Sequence, residues 1–168
     1  AICATRLAAT SKVRSIVRID LDERSFLRRR PEVEHEREIA LFDLLEENTF
    51  VLKRDGAAPG PYHLRLALAE DRLVFEVYDT ADHELSRIVL AVKPFRMVIK
   101  DYFLVCETYF DAIKASSSSQ IEAIDMGRRG LHNEGATMLK QRLEEHVELD
   151  HTTARRLFTL LCVLHMRG

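Results

Sequence analysis

Residues 62–92 read YHLRLALAEDRLVFEVYDTADHELSRIVLAV, and this stretch decides the fold class. Apolar and polar residues alternate along three segments, Tyr62–Ala69, Arg72–Tyr78 and Leu85–Val92. This alternation is typical of strands with one buried face. Because only short polar connections separate the segments, the pattern predicts two successive hairpins in an antiparallel meander.

An amphipathic helix is predicted directly after the meander. Pro94 lies at its start, where proline is favoured, and the helix is expected to run to Ala115. Its apolar residues recur at spacings of three and four: Phe95, Val98, Ile99, Tyr102, Cys106, Tyr109, Phe110 and Ile113. Since such a stripe is typical of a helix lying on a core, we expect Pro94–Ala115 to cover the sheet.

Two further strands and another helix are predicted upstream. Residues 15–21 (SIVRIDL) alternate in the same way, and Thr49–Lys53 forms a short strand. Between them, Pro31 with acids in the following turn marks a helix start, so we expect a helix over Pro31–Glu47. Its residues 39–45 are apolar nearly all round, which indicates cover on more than one side.

These elements predict an α+β domain. We expect an antiparallel sheet of four or five strands backed by the Pro94–Ala115 helix, with a helical subdomain at the C-terminal end. Residues 15–168 are predicted to form a single domain, since this length suits one core. Residues 1–14 are predicted to be a flexible N-terminal extension.

Composition narrows the class of protein. The chain is 46% hydrophobic and 31% charged, typical of soluble globular proteins, and no apolar run approaches the roughly 20 residues of a membrane-spanning helix. The formal net charge of −2 weighs against a dedicated nucleic-acid binder. Three cysteines, far apart in sequence, favour a reducing cytoplasm over a disulfide scaffold.

The stretch Asp125–Gly135 (DMGRRGLHNEG) is the candidate functional site. Its three glycines fall within nine residues, and each costs about 1 kcal/mol in a helix relative to alanine. The stretch therefore predicts a tight corner between two helices. The first helix is expected to begin with a capping box at Ser119–Glu122, and the second to cover Ala136–Val147.

One hypothesis for this corner is anion binding. Gly127, Arg128, Arg129 and Gly130 could present backbone amides and two guanidinium groups to a phosphate, aided by the positive end of the following helix. His132 and Asn133 complete the candidate ligand-binding set. A purely structural turn is the alternative.

A second hypothesis is catalysis. On an unbroken helix, Glu122, Asp125, Arg129 and His132 would share one stripe. Two acids, a guanidinium and an imidazole could transfer protons beside an anionic substrate, and Glu134 is a further candidate. The alternative is a salt-bridged polar face with a hydrogen-bonded histidine. No set of residues matches a metal-site pattern, so no metal is predicted.

Clustered arginines raise a third hypothesis, nucleic-acid binding. The clusters are Arg28–Arg30, Arg128–Arg129, Arg142 and Arg155–Arg156. Interleaved acids and the net charge of −2 weigh against it.

The last helix is predicted to begin at an Asp150 cap. Its residues 157–164 (LFTLLCVL) have almost no polar side. Such a helix lies either deep in the core or partly in a subunit interface, and the second alternative would give a homodimer through this helix.

The sequence also resembles a known family. The phrases DLLEEN, RLVFEVYD, PFRMVIKDYFLVCETYFDAI, SQIEAIDMGRRGLHNEG and TARRLFTLLCVLH are similar to uncharacterised protein family 0262, a group of small alphaproteobacterial proteins. The resemblance covers roughly Val17–His165. It implies a bacterial cytoplasmic protein and brings no reaction, cofactor or catalytic residue.

Three functions follow as hypotheses. The favoured one is a binding or regulatory module, a homodimer, with a small-anion or partner site around Gly127–Glu134. The alternatives are an enzyme for a phosphorylated or carboxylated metabolite, with His132 as acid–base and Arg128 or Arg129 as anion clamp, and a nucleic-acid binder. The sequence leaves open whether there is catalysis and which cofactor, if any, is used.

Overall fold

The computed structural model describes residues 12–22, 30–53 and 58–165. Within them, six strands and four α-helices occur in the order β1 (Ile16–Leu21), α1 (Pro31–Glu46), β2 (Phe50–Leu52), β3 (Tyr62–Ala69), β4 (Arg72–Tyr78), β5 (Glu84–Ala91), α2 (Arg96–Ala115), α3 (Ser118–Leu143), β6 (Val147–Leu149) and α4 (His151–His165). A short 3-10 turn, Lys93–Phe95, leads into α2. The α+β class is confirmed.

The predicted meander is confirmed. Strands β3, β4 and β5 pair antiparallel, and β1 joins them in a four-stranded sheet with the order β1-β3-β4-β5. On the inner face Phe75 lies opposite Leu66 on one side and Ile88 on the other, and all three side chains are buried. The alternation in the sequence therefore reports one dry face, as expected for hairpins on a core.

The sheet differs from the prediction at β1, which pairs parallel with β3. A parallel pair needs a long crossover connection, and the chain between β1 and β3 supplies it with α1 and β2. Asn48 fixes the start of β1, since its side-chain amide bonds both the N–H and the carbonyl of Ile16. The sheet is thus mixed.

A second, two-stranded sheet was not predicted. Strand β2 pairs antiparallel with β6, whose first residue, Val147, was expected to end a helix. Instead α3 ends at Leu143 and the chain turns back into a strand. Three residues are too few for an alternating pattern to indicate a strand.

Helix starts follow local chemistry. Pro31 lies in the first turn of α1 and Asp150 caps α4, as predicted, with its carboxylate accepting a hydrogen bond from the N–H of Thr153. The capping box of α3 is formed by Ser117 and Gln120, two residues before the expected one.

Helix α4 is the centre of the molecule. It packs against α1 on one side and α3 on the other and approaches β3 of the sheet, while α2 packs mainly along α3. Residues 157–164 are all buried within the single chain. Of the two alternatives for this helix, the core location is therefore the observed one, and these residues are already covered.

Helix α1 contradicts its prediction. Residues 39–45 were expected to be covered on more than one side, yet three large apolar side chains are exposed: Ile39, Phe42 and Leu45, with Phe42 69% exposed. The buried ridge of α1 is Val33, Glu36, Ala40 and Leu44. The apolar run thus supplies one core face and one exposed apolar face.

The predicted extension, residues 1–14, falls mostly outside the described residues, which begin at residue 12. Val13 and Arg14 are tied to the domain, because their carbonyl groups accept hydrogen bonds from the N–H groups of Gly60 and Phe50.

Candidate functional site

The predicted corner at Gly127–Gly135 is wrong. Helix α3 continues through all three glycines. At Gly135 an added Cβ would lie 2.2 Å from the ring of Phe158, so glycine there lets α3 approach α4 closely. At Gly127 and Gly130 an added Cβ would meet nothing within 4 Å. One glycine is a packing contact, and the other two face open space.

The amide cradle predicted at Gly127-Arg128-Arg129-Gly130 is also wrong. A cradle needs backbone N–H groups that are free at a helix start, whereas these residues lie in the middle of α3, where the N–H groups serve the helix itself. Any anion here must be bound by side chains.

The predicted stripe is brought together only in part. Asp125 Oδ2 lies 2.7 Å from Arg129 Nη2, so these two residues meet. His132 is buried, while Glu122 and Glu134 are exposed. Asn133 is exposed as well and bonds the imidazole of His151 at 3.3 Å.

Arg128 is the hub of the cluster. Its Nε and Nη2 donate hydrogen bonds to Asp125 Oδ1 at 3.0 and 2.9 Å. Its Nη1 lies 3.6 Å from Glu36 Oε1, and its guanidinium carbon lies 5.2 Å from the ring centre of Tyr109. Burial alone would lower the pKa of Arg128, but Asp125 and Glu36 raise it above its usual value. Arg128 is therefore a fixed cation.

Glu36 and Tyr102 were missed by the sequence reasoning. The Tyr102 hydroxyl donates a hydrogen bond to Glu36 Oε2 at 3.0 Å in the interior. Burial, and then the charge of Glu36, raises the pKa of Tyr102, so the hydroxyl keeps its proton. A signal was present: Glu36 occupies an apolar position on the ridge Val33, Glu36, Ala40, Leu44, where an acid needs a buried partner.

Asp125 is held ionised by two arginines. Burial would raise its pKa, but the hydrogen bonds and charges of Arg128 and Arg129 outweigh this and hold the pKa of Asp125 below its usual range. The pair Asp125–Arg129 is partly exposed, since 66% of the Arg129 side chain is accessible.

His132 has the contacts of a structural histidine. Its Nε2 lies 2.9 Å from the carbonyl oxygen of Arg155, which can only accept, so Nε2 carries the proton. Thr159 Oγ1 lies 2.8 Å from the same nitrogen, and the imidazole stacks on Tyr102 with ring centres 5.2 Å apart. Burial lowers the pKa of His132 to about 4, and nearby arginines add to the effect. A 7% exposed, neutral imidazole does not favour the acid–base role.

Two arginines of α4 complete the cluster. Arg156 Nη2 lies 3.5 Å from Asp43 Oδ2. Arg155 forms no ion pair with any described residue, and its Nε is buried without a hydrogen-bond partner among them. Burial, then the charges of Arg156, Arg128 and Arg129, lowers the pKa of Arg155. Four guanidinium groups thus meet three paired carboxylates, those of Asp125, Glu36 and Asp43.

The arginines do not form one open basic surface. Arg128 and Arg156 are paired with carboxylates, and Arg30 lies 3.4 Å from Glu107. Arg28 and Arg29 lie outside the described residues. Neutralised arginines leave few charges for phosphate groups of a nucleic acid.

Neither a metal cluster nor a spanning helix is present in the described residues. No group of three or more His, Cys, Asp or Glu side chains there is placed to hold a metal ion. In residues 12–22, 30–53 and 58–165, no helix has the length and apolar character needed to cross a membrane.

Comparison with known proteins identifies the family. A model described as Uncharacterised protein family (UPF0262) matches residues 13–167. The chain belongs to this family. A UPF0262 protein of Rhodospirillum rubrum is 58% identical over 153 residues, covering 91% of this chain and 93% of that relative. UPF0262 proteins of Jannaschia and Ruegeria species are 55% and 53% identical, covering 89% and 91% of this chain and 96% and 98% of the relatives.

The resemblance seen in the sequence is thus confirmed. No solved structure matches the chain. The UPF0262 name carries no activity, so the function of this chain has to be argued from its own side chains.

Proposed function

We propose that this UPF0262 protein is a binding module whose arginine cluster takes up a small anion with phosphate-like or carboxylate-like charge. The cluster consists of Arg128, Arg129, Arg155 and Arg156. It replaces the amide cradle of the sequence hypothesis and keeps the anion.

Arg155 is the observation that supports the proposal. Its guanidinium group has no carboxylate among the described residues, and three other arginines act on it. Buried or half-buried cations are normally paired. An anion beside Arg155 would supply the missing charge, and Arg129, which is largely exposed, could contact the same anion from α3.

Charge balance makes the ligand an anion. The carboxylates of Asp125, Glu36 and Asp43 are each engaged with a cation. One positive charge is left over, and a guanidinium group binds planar or tetrahedral oxyanions through paired N–H donors.

The test is thermal unfolding with inorganic phosphate and, separately, a dicarboxylate, against sodium chloride at equal ionic strength. A ligand at 100 times its dissociation constant stabilises the folded state by about 2.7 kcal/mol. We expect stabilisation of the wild type that is lost in Arg155→Gln and reduced in Arg129→Gln.

Arg142→Gln is the matched control, because Arg142 is an exposed arginine on α3 outside the cluster. It should respond to the anions like the wild type. Equal stabilisation of all four proteins, or none beyond that of sodium chloride, would contradict the proposal.

A further inference from the structure

A groove lies on another part of the molecule, between the end of α3 and strand β6. Its volume is about 510 Å³. Four polar or charged residues of α3 form one wall: Thr137, Lys140, Gln141 and Glu144. Residues 147–149, which are β6, form the other wall. The sequence analysis assigned nothing to this region.

The outer edge of β6 faces this groove with free backbone groups. The N–H of Lys53 donates to the carbonyl of His146, which sets the phase of the β2–β6 ladder. In an antiparallel pair the residues alternate between bonding the partner strand and pointing away from it. Glu148 therefore bonds Val51, and the N–H and C=O groups of Val147 and Leu149 point away from β2.

The opposite edge of this two-stranded sheet is occupied. On β2, the outward N–H of Phe50 donates to the carbonyl of Arg14 at 2.8 Å. The outward N–H of Leu52 donates to the Tyr62 hydroxyl at 3.4 Å. No such partner exists for Val147 or Leu149 among the described residues. Only the β6 edge is left open.

What β6 offers to the groove is main chain. The side chains of Val147 and Leu149 are buried in the core, at 1% and 4% exposure. A groove with an open strand edge on one side and a helix on the other suits an added strand, because the edge supplies hydrogen bonds and the helix supplies side-chain contacts.

We propose that an extended peptide segment of a partner protein adds to β6 as a third strand and lies beside α3. The proposal is independent of the arginine cluster. Two outward residues of β6 would each exchange N–H and C=O bonds with the peptide, and the peptide side chains that face α3 would lie over Gln141.

Charge points to an acidic side chain on that peptide. Lys53 and Lys140 line the groove against Glu144 and Glu148. Glu148 is already paired with Arg14 at 3.4 Å. One lysine charge is left over, and Lys140 forms no ion pair with a described residue. An Asp or Glu of the peptide would pair with it.

The experiment pans a random peptide library displayed on phage against the full chain and measures the affinity of resynthesised peptides. Gln141→Trp fills the groove from an exposed position of α3, and Arg142→Trp puts the same ring at the next exposed position, outside the groove lining. We expect acidic peptides whose affinity falls at least about tenfold in Gln141→Trp and stays unchanged in Arg142→Trp. Lys140→Glu should weaken them, whereas Lys114→Glu should not.

Amide hydrogen exchange locates the strand. Bound peptide should slow exchange at Val147 and Leu149, since their N–H groups would gain partners. The proposal is overturned if no peptide is enriched, if Gln141→Trp and Arg142→Trp bind alike, or if the two amides are unchanged on binding. Protection that rises with protein concentration in the absence of peptide would overturn it too, because the occupant would then be a second copy of this chain.

Discussion

At the scale of single residues, three glycines of one helix separate packing from propensity. Gly135→Ala should lower the free energy of unfolding by about 1–3 kcal/mol, because its Cβ would overlap the Phe158 ring. Gly127→Ala and Gly130→Ala should raise it by about 0.5–1 kcal/mol each, since alanine favours helix and the space is open. Chemical denaturation of the three variants checks this. A stabilised Gly135→Ala would refute the close helix contact.

His132 should make stability depend on pH. Its pKa drops from 6.5 to about 4 on folding, chiefly through burial. Between these pH values the unfolded chain binds more protons than the folded chain, so stability falls as the pH drops from 7 to 4, by roughly 3 kcal/mol. Denaturation at several pH values measures this slope.

His132→Asn should flatten the slope whatever its effect on stability at pH 7. His151→Asn is the matched control, since His151 is exposed at the start of α4. The attribution to His132 fails if both variants keep the wild-type slope.

The candidate site could be predicted only in part at this scale. Asp125, Arg128 and Arg129 were found because adjacent charges stand out among glycines. Glu36, Tyr102 and Thr159 could not be grouped with them, since they lie on three other helices and only the fold brings them together.

At the scale of elements, Glu36 joins three helices: it lies on α1, accepts from Tyr102 of α2 and faces Arg128 of α3. Tyr102→Phe should destabilise the protein by about 1.5–3 kcal/mol, the range for hydrogen bonds to charged groups. In the Glu36→Gln background the same change should cost less, because the charged acceptor is gone. A double-mutant cycle by denaturation measures the coupling. Additive effects would mean that the bond contributes nothing.

Elements with many local contacts followed from sequence, and those with distant partners did not. The hairpins and the Pro94–Ala115 helix repeat a period over many residues, so the prediction was sound. The parallel pairing of β1 and the whole of β6 depend on partners far along the chain. Continuous α3 overrode the local penalty of its glycines through packing on α4.

At the scale of the whole molecule, the expected homodimer stays a prediction, and its surface has to change. Residues 157–164 are covered within one chain, whereas Ile39, Phe42 and Leu45 of α1 form an exposed apolar face. Exposed apolar patches mark contact surfaces. We expect association through α1 in light scattering, abolished by Phe42→Glu and kept by Met126→Glu, a matched change at an exposed site on α3. A monomer at all concentrations would end the prediction.

The β2–β6 pair has a consequence for the order of folding. Its partners, Phe50 and Leu149, are nearly a hundred positions apart in the chain, while the hairpins join near neighbours. Closing so long a loop is slow compared with forming a hairpin. The groove beside β6 therefore comes into being late, after the hairpins and helices are in place. A partner that reads this edge would ignore half-folded chains, so binding itself would report that the protein is finished.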